Sequence, residues 1–253
     1  MPFTTVAFSE VPAVAATIGT INAVPDQTHR VSGDDIYIGE FNQLVGECAI
    51  GPQLTDAYLI SPSLRRVARK YIAPLYIEPS SYPVPLTWNW HGESPLKLDT
   101  NEALNAWAEE VSLSAVDNDI IGVWLSKGPI APVHGEIWTV KVAVSGTFAE
   151  LAWGNAEGTW TPDLPVGKYQ VVGARCYMVG PGLFRFNFVG GYARPGGLCI
   201  SEEHLSTMPW QRNGGMGVWG EFDSTLPPSF DLLPQSVAGE TEAYLRIDLI
   251  KIA

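Results

Sequence analysis

Short apolar runs separated by turn residues recur along this chain, and their spacing predicts strands. The clearest is Ile137–Val144, where Ile137, Thr139, Lys141 and Ala143 alternate with Trp138, Val140, Val142 and Val144. A period of two is what a half-buried strand requires, because successive side chains leave opposite faces of the pleat. The same reasoning predicts strands at Val6–Phe8, Asp35–Ile38, Leu44–Ile50, Asp56–Ile60, Ile120–Leu125 and Phe148–Trp153. Further on it predicts Tyr169–Tyr177, Leu183–Val189, Met216–Phe222 and Ala243–Ile252. Two stretches break the pattern. Asp99-Thr-Asn-Glu102 has the spacing of a capping box, and Ala103, Leu104, Ala106, Trp107 and Ala108 continue as helix formers, so a helix is expected over Thr100–Glu110. Ser61-Pro62 resembles a cap with Pro at the first helical position, which predicts a second short helix running toward Lys70.

Composition sharpens this reading. The 253 residues carry 25 Gly and 20 Pro among 46% hydrophobic positions, which excludes disorder and favours many short strands joined by irregular turns. That pattern suggests an all-β sandwich or barrel rather than alternating strands and helices. No apolar run approaches the roughly 20 residues of a membrane span, and no basic region precedes Arg30, so neither a span nor a secretory signal is expected. Fifteen Lys and Arg against 27 Asp and Glu give a net charge of −12, which repels a phosphate backbone over most of the surface. Cys48, Cys176 and Cys199 lack metal-ligand spacing and read as buried, reduced thiols of a reducing compartment.

The two halves of the chain resemble each other. Gly33-Asp-Asp-Ile-Tyr-Ile-Gly39 aligns with Gly167-Lys-Tyr-Gln-Val-Val-Gly173, an offset of 134 from Gly33 to Gly167. Gly51-Pro-Gln-Leu54 aligns with Gly180-Pro-Gly-Leu183, an offset of 129 from Gly51 to Gly180. Each half closes on an acidic turn and a strand, Asp117–Leu125 and Glu240–Asp248. Gly39, Gly51, Gly173 and Gly180 are therefore expected to be duplicated turn positions. The repeat implies two β-sandwich domains in tandem, 14–133 and 134–253, joined near Gly128–Val133 and preceded by an N-terminal arm at 1–13.

On these repeated glycine blocks, the expected Thr100–Glu110 helix and the two closing strands, the chain resembles the double jelly-roll major capsid proteins of small tailless icosahedral viruses. The likeness is architectural and covers nearly the whole chain. It implies an all-β fold of two tandem eight-stranded jelly-roll sandwiches with short helices in connecting loops. It also implies a homotrimer that forms a pseudo-hexagonal capsomer and tiles an icosahedral shell. The chain would then be a structural virion protein assembled in the host cytoplasm, with no enzymatic activity and no cofactor. Its partners would be further copies of itself, with minor capsid proteins or an internal membrane as others that the resemblance allows. Neither terminus carries a basic arm, so direct sequence-specific nucleic-acid binding is not expected. The one cationic cluster, Arg65, Arg66, Arg69 and Lys70, is a candidate contact to neighbours or to an inner layer; a solvated helix face is the simpler reading.

Other chemistry finds little footing. Gly215-Met-Gly-Val-Trp-Gly220 has the letters of a dinucleotide fingerprint, but Pro227-Pro228 soon after it cannot belong to the required helix; turns beside a strand that buries Trp219 are the better reading. Walker, zincin and nucleophile-elbow motifs are missing. His91-Gly-Glu93 and His134-Gly-Glu136 come nearest to a metal-binding strand, His29 and His204 stand apart, and Glu40, Glu47, Glu109 and Glu110 are carboxylates with no fixed separation. Trp88 and Trp90, two apart, would share one strand face and support an alternative, a lectin-like sandwich that stacks sugar rings on exposed Trp.

Overall fold

Strand Trp138–Ser145 follows its sequence closely: Val140, Val142 and Val144 are buried, while Thr139 and Lys141 face out. Trp138 departs from the pattern and is 56% exposed at the strand's start. The computed structural model describes residues 3–11, 18–51, 54–65, 70–72, 74–76, 89–110, 118–178, 180–201, 213–235 and 242–253. These are all-β apart from one helical turn, in two large sheets. The chain divides into two compact units, Val6–Gly128 and Pro129–Ala253, with Met1–Thr5 grouped with the latter.

The first unit contains β1 (Phe3–Glu10, from Val6 onward), β2 (Gly19–Ala23), β3 (Arg30–Ser32), β4 (Asp35–Tyr37), β5 (Gln43–Gly51) and β6 (Leu54–Ile60). After the turn α1 (Pro62–Arg65) come β7 (Lys70–Ile72), β8 (Pro74–Tyr76), β9 (Asn89–Trp90), β10 (Leu96–Lys97), β11 (Ala103–Glu110) and β12 (Asp119–Ser126). The second unit has β13 (Trp138–Ser145), β14 (Gly154–Ala156), β15 (Gly158–Thr161), β16 (Lys168–Met178) and β17 (Gly182–Asn187). It continues with β18 (Gly196–Ser201), β19 (Asn213–Gly214), β20 (Gly220–Asp223), β21 (Ser229–Pro234) and β22 (Glu242–Lys251).

The two units share one pairing scheme. In the first, β5 lies antiparallel to β12, β9 and β10 and parallel to β8. In the second, β16 lies antiparallel to β22, β19 and β20 and parallel to β18. The closing strands then pair with the opening ones, β12 with β1 and β22 with β13. On the other layer β11 joins β2 and β6 as β21 joins β14 and β17. Even an irregularity repeats. The β5–β12 register slips past Val45, and the β16–β22 register slips past Val172; each extra residue is a β-bulge followed by a glycine, Gly46 or Gly173.

That equivalence corrects the register of the repeat read from the letters. Gly46 pairs with Trp90 of β9 and Gly173 with Gly214 of β19, so the structural offset is 127, from Gly46 to Gly173. Gly39, with φ of 60°, sits before β5 and is not the counterpart of Gly173, which is inside β16. Gly51 ends β5 against the Asp119 carboxylate and corresponds to Met178, two residues ahead of Gly180. Glycine recurs at turns because of backbone conformation, so its matches drift, whereas the hydrogen-bond ladder keeps its register.

Three other expectations change. Thr100–Glu110 contains no helix: β11 occupies Ala103–Glu110, with Leu104, Ala106, Ala108 and Glu110 buried alternately. Ladders to β2, β4 and β6 override the helix propensity of Ala, Leu and Glu. The capping-box letters form a turn, with Asn101 at φ of 60° and its N–H donating to the Gly39 carbonyl. Phe148–Trp153 is a loop. Residues 3–10, expected in part of an arm, form a strand that is buried through Ser9. The second short helix opens as expected with α1, capped by Ser61 Oγ, which accepts from Leu64 N–H at 3.1 Å; residues 66–69 lie outside the described residues.

The core of the second unit centres on Trp219, which is fully buried as expected from the glycine-rich stretch around it. Phe3 and Phe186 meet its ring edge-on at 5.3 and 5.6 Å, and Phe184 stacks on it at 6.2 Å. Replacing Trp219 by Ala removes this hub and is expected to cost about 3–5 kcal/mol, read as a lowered urea midpoint of the unit it anchors.

Candidate functional site

Lys70 is the one member of the cationic cluster whose side chain is described; Arg65 closes α1, and Arg66 and Arg69 lie outside the described residues. Its Nζ stands 3.0 Å from Glu47 Oε1, so this cation is engaged inside its own unit rather than offered to a neighbour. The Nε2 of His91 reaches the same oxygen at 2.8 Å. His91 is itself held by its backbone N–H, which donates to the Val45 carbonyl at 2.7 Å. Glu47 is fully buried within β5, and its Oε2 has no hydrogen-bond partner among the described residues. A buried carboxylate persists only when opposite charge and hydrogen bonds replace its water, and Lys70 and His91 supply both to one oxygen.

The chemistry this cluster can perform is limited. Adjacent Cys48 points to the opposite face of β5, and burial pushes its thiol well above the ordinary range. Among the described residues no three His, Cys, Asp or Glu side chains are placed to hold a metal ion. In His91-Gly-Glu93 the histidine is hydrogen-bonded to Glu47. Trp90 lies in β9 and is half-buried; Trp88, the other half of the proposed sugar platform, lies outside the described residues, as does His204. Glu40 is exposed and pairs with Lys127, and Glu110 is buried in β11. Cys48, Cys176 and Cys199 are buried thiols that form no disulfide.

The second unit holds its own buried pair. Arg185 of β17 and Asp231 of β21 face each other across the ladder, Nε to Oδ2 at 2.7 Å. Asn155 Nδ2 donates to the other carboxylate oxygen at 2.7 Å, and the Trp153 ring covers the guanidinium at 4.0 Å. Arg185 Nη1 also donates to the Thr5 carbonyl at 3.3 Å, while Thr5 N–H donates to the Arg194 carbonyl at 2.8 Å. Thr5 is thus built into this unit by bonds to both backbone and side chain, which an unattached arm would lack.

Surface exposure separates the two units where pairing does not. Strands β1, β5 and β12 are buried on both faces, apart from their ends. Their counterparts β13, β16 and β22 keep one face partly exposed over part of their length: Thr139 and Lys141 are exposed, and Arg175, Tyr177, Tyr244 and Arg246 are half-buried. At one end of that open sheet several large apolar side chains lie exposed: Ile137, Trp138, Val166, Leu226 and Ile252. The ladder places Trp138 opposite Leu249, Lys168 opposite Asp223, and Ile252 N–H donating to the Lys168 carbonyl, so these residues share that end. Exposed apolar groups gathered at one place mark a contact surface more often than residues scattered singly. Sequence periodicity located the strands, but which face stays open follows from long-range packing. No protein-family model matches the chain, and no curated protein matches it.

The Glu47 cluster yields a direct test. Replacing Lys70 by Met leaves Glu47 with His91 alone and is expected to lower stability by about 3 kcal/mol, whereas pairing it with Glu47→Leu restores most of the loss. Urea unfolding of both single variants and the double measures the coupling.

Proposed function

We propose that this chain is a structural major capsid protein, built as two tandem eight-stranded jelly rolls that trimerise into pseudo-hexagonal capsomers and tile an icosahedral shell. The observation that carries the reading is the pairing scheme found in both units, down to the bulges at Val45 and Val172. Counting β7 with β8, β9 with β10, β14 with β15, and β19 with β20 as interrupted single strands gives eight strands per unit, with the β3–β4 hairpin as an addition to the first. One layer then reads β1, β12, β5, β9/β10 and the other β2, β11, β6, β7/β8, the interleaved order of two nested Greek keys.

A shell subunit needs rigid blocks that meet their own kind. Paired sheets supply rigidity because backbone groups are bonded internally and the flanks hold side chains in fixed positions. Two similar blocks per chain suit a particular geometry: three chains present six comparable wedges about one axis and so fill a hexagonal lattice position. The exposed apolar end of the second unit fits a protein that works in contact with others.

Sedimentation velocity of the purified protein tests this. The expected result is trimers of the 27.5 kDa chain and larger closed particles. A persistent monomer that binds glycans would instead support the lectin-like alternative and remove the capsid reading.

A further inference from the structure

The open face of β13, β22 and β16 carries an arrangement that only the strand register brings together. Lys141 of β13 lies directly opposite Arg246 of β22, and Arg246 lies directly opposite Arg175 of β16. Adjacent strands are about 4.8 Å apart, so three cations stand in one row across three strands. The next row holds Ala143, Tyr244 and Tyr177, with the two tyrosine rings stacked at 5.0 Å. On the far side lie Thr139 and Asp248, joined at 2.6 Å.

Like charges placed directly opposite each other destabilise a sheet unless something offsets them. Two carboxylates share this face of β22. Asp248 is buried and accepts from Thr139, and Glu242 accepts from the Tyr244 hydroxyl. Lys141 and Arg175 have no ion-pair partner among the described residues. The first unit shows that the scheme does not require these charges, for the positions equivalent to Arg175 and Arg246 are Cys48 and Gly122, paired with each other and buried. Three of the chain's 15 Lys and Arg are thus concentrated in one row on an open sheet.

We infer that this face is an interface at which Lys141 and Arg175, on either side of Arg246, receive carboxylates from a second copy of the chain, an inference that rests on the self-assembly reading above. Charge complementarity selects the occupant. Each copy has 27 acidic residues and a net charge of −12, so copies repel one another overall, and a cationic face that meets acidic side chains offsets that repulsion. A nucleic acid would meet the same overall repulsion along a far denser line of charge and find only three cations here. The stacked tyrosines beside the row supply rigid contact area at small entropic cost.

The test compares wild-type protein with Lys141→Thr/Arg175→Thr by sedimentation velocity at low and high salt, with circular dichroism confirming that the variant is folded. The expected result is self-association of the wild type that weakens with salt, and a loss on the order of tenfold in association for the variant. Should the variant fail to fold, the salt titration of wild type decides alone, and salt-independent association overturns the inference. Equal association of both proteins overturns it while leaving the capsid reading intact. A wild type that stays monomeric removes both. Salt-sensitive capture of a 20-nucleotide single-stranded DNA by the wild type, lost in the variant, would assign the row to nucleic acid instead and overturn the inference.

Discussion

Each unit depends on the arrival of its last strand. The closing strand enters between two strands that precede it by far in the chain: β12 between β1 and β5, β22 between β13 and β16. Until it does so, the facing N–H and C=O groups of both neighbours lack protein partners, and a buried unpaired backbone group is costly. The sheet is therefore completed by its most distant contact in sequence, which makes pairing cooperative and fixes register over the whole layer. The bulges at Val45 and Val172 lie in these ladders, where an extra residue bends the central strand and increases its twist at the same place in each unit.

On that common ladder the two units have been given different side chains. Glu47, buried and paired with Lys70 and His91, has Ala174 as its counterpart, while Cys48 and Gly122 stand where the other unit carries Arg175 and Arg246. Strands β1, β5 and β12 of the first unit are buried on both faces, so a charge there must bring its own counter-ions. Strands β13, β16 and β22 of the second unit keep one face partly exposed and can carry long polar side chains at less cost. Conserving the ladder while changing its faces gives a protein two similar blocks with different surfaces, which suits a subunit that must fit six places around an axis with only three chains.

The sequence revealed those parts of the fold that depend on local alternation. Strands β5, β13, β16, β17 and β22 were legible because their apolar residues recur with a period of two or fill a short run. Strand β11 was hidden by Ala, Leu and Glu, whose helix propensity pointed the other way, although Leu104, Ala106, Ala108 and Glu110 alternate. Strand β21 was hidden behind Pro227-Pro228. The duplication was legible in kind but not in register, since turn glycines are set by backbone angles and not by strand partners. The Glu47 cluster was beyond reach because its members are 23 and 44 residues from Glu47; the available signal was a lone Glu within the apolar run Leu44–Ile50. The cationic row was likewise invisible until register put Lys141, Arg175 and Arg246 side by side.

On the proposed reading, one pairing scheme, present twice, builds a shell from three-chain blocks. Electron cryo-microscopy of particles formed by the purified protein tests it most directly. The expected result is capsomers with threefold symmetry in which six similar wedges, two per chain, surround each axis. Particles whose blocks contain one wedge per chain, or whose two units occupy unrelated positions about the axis, would contradict it.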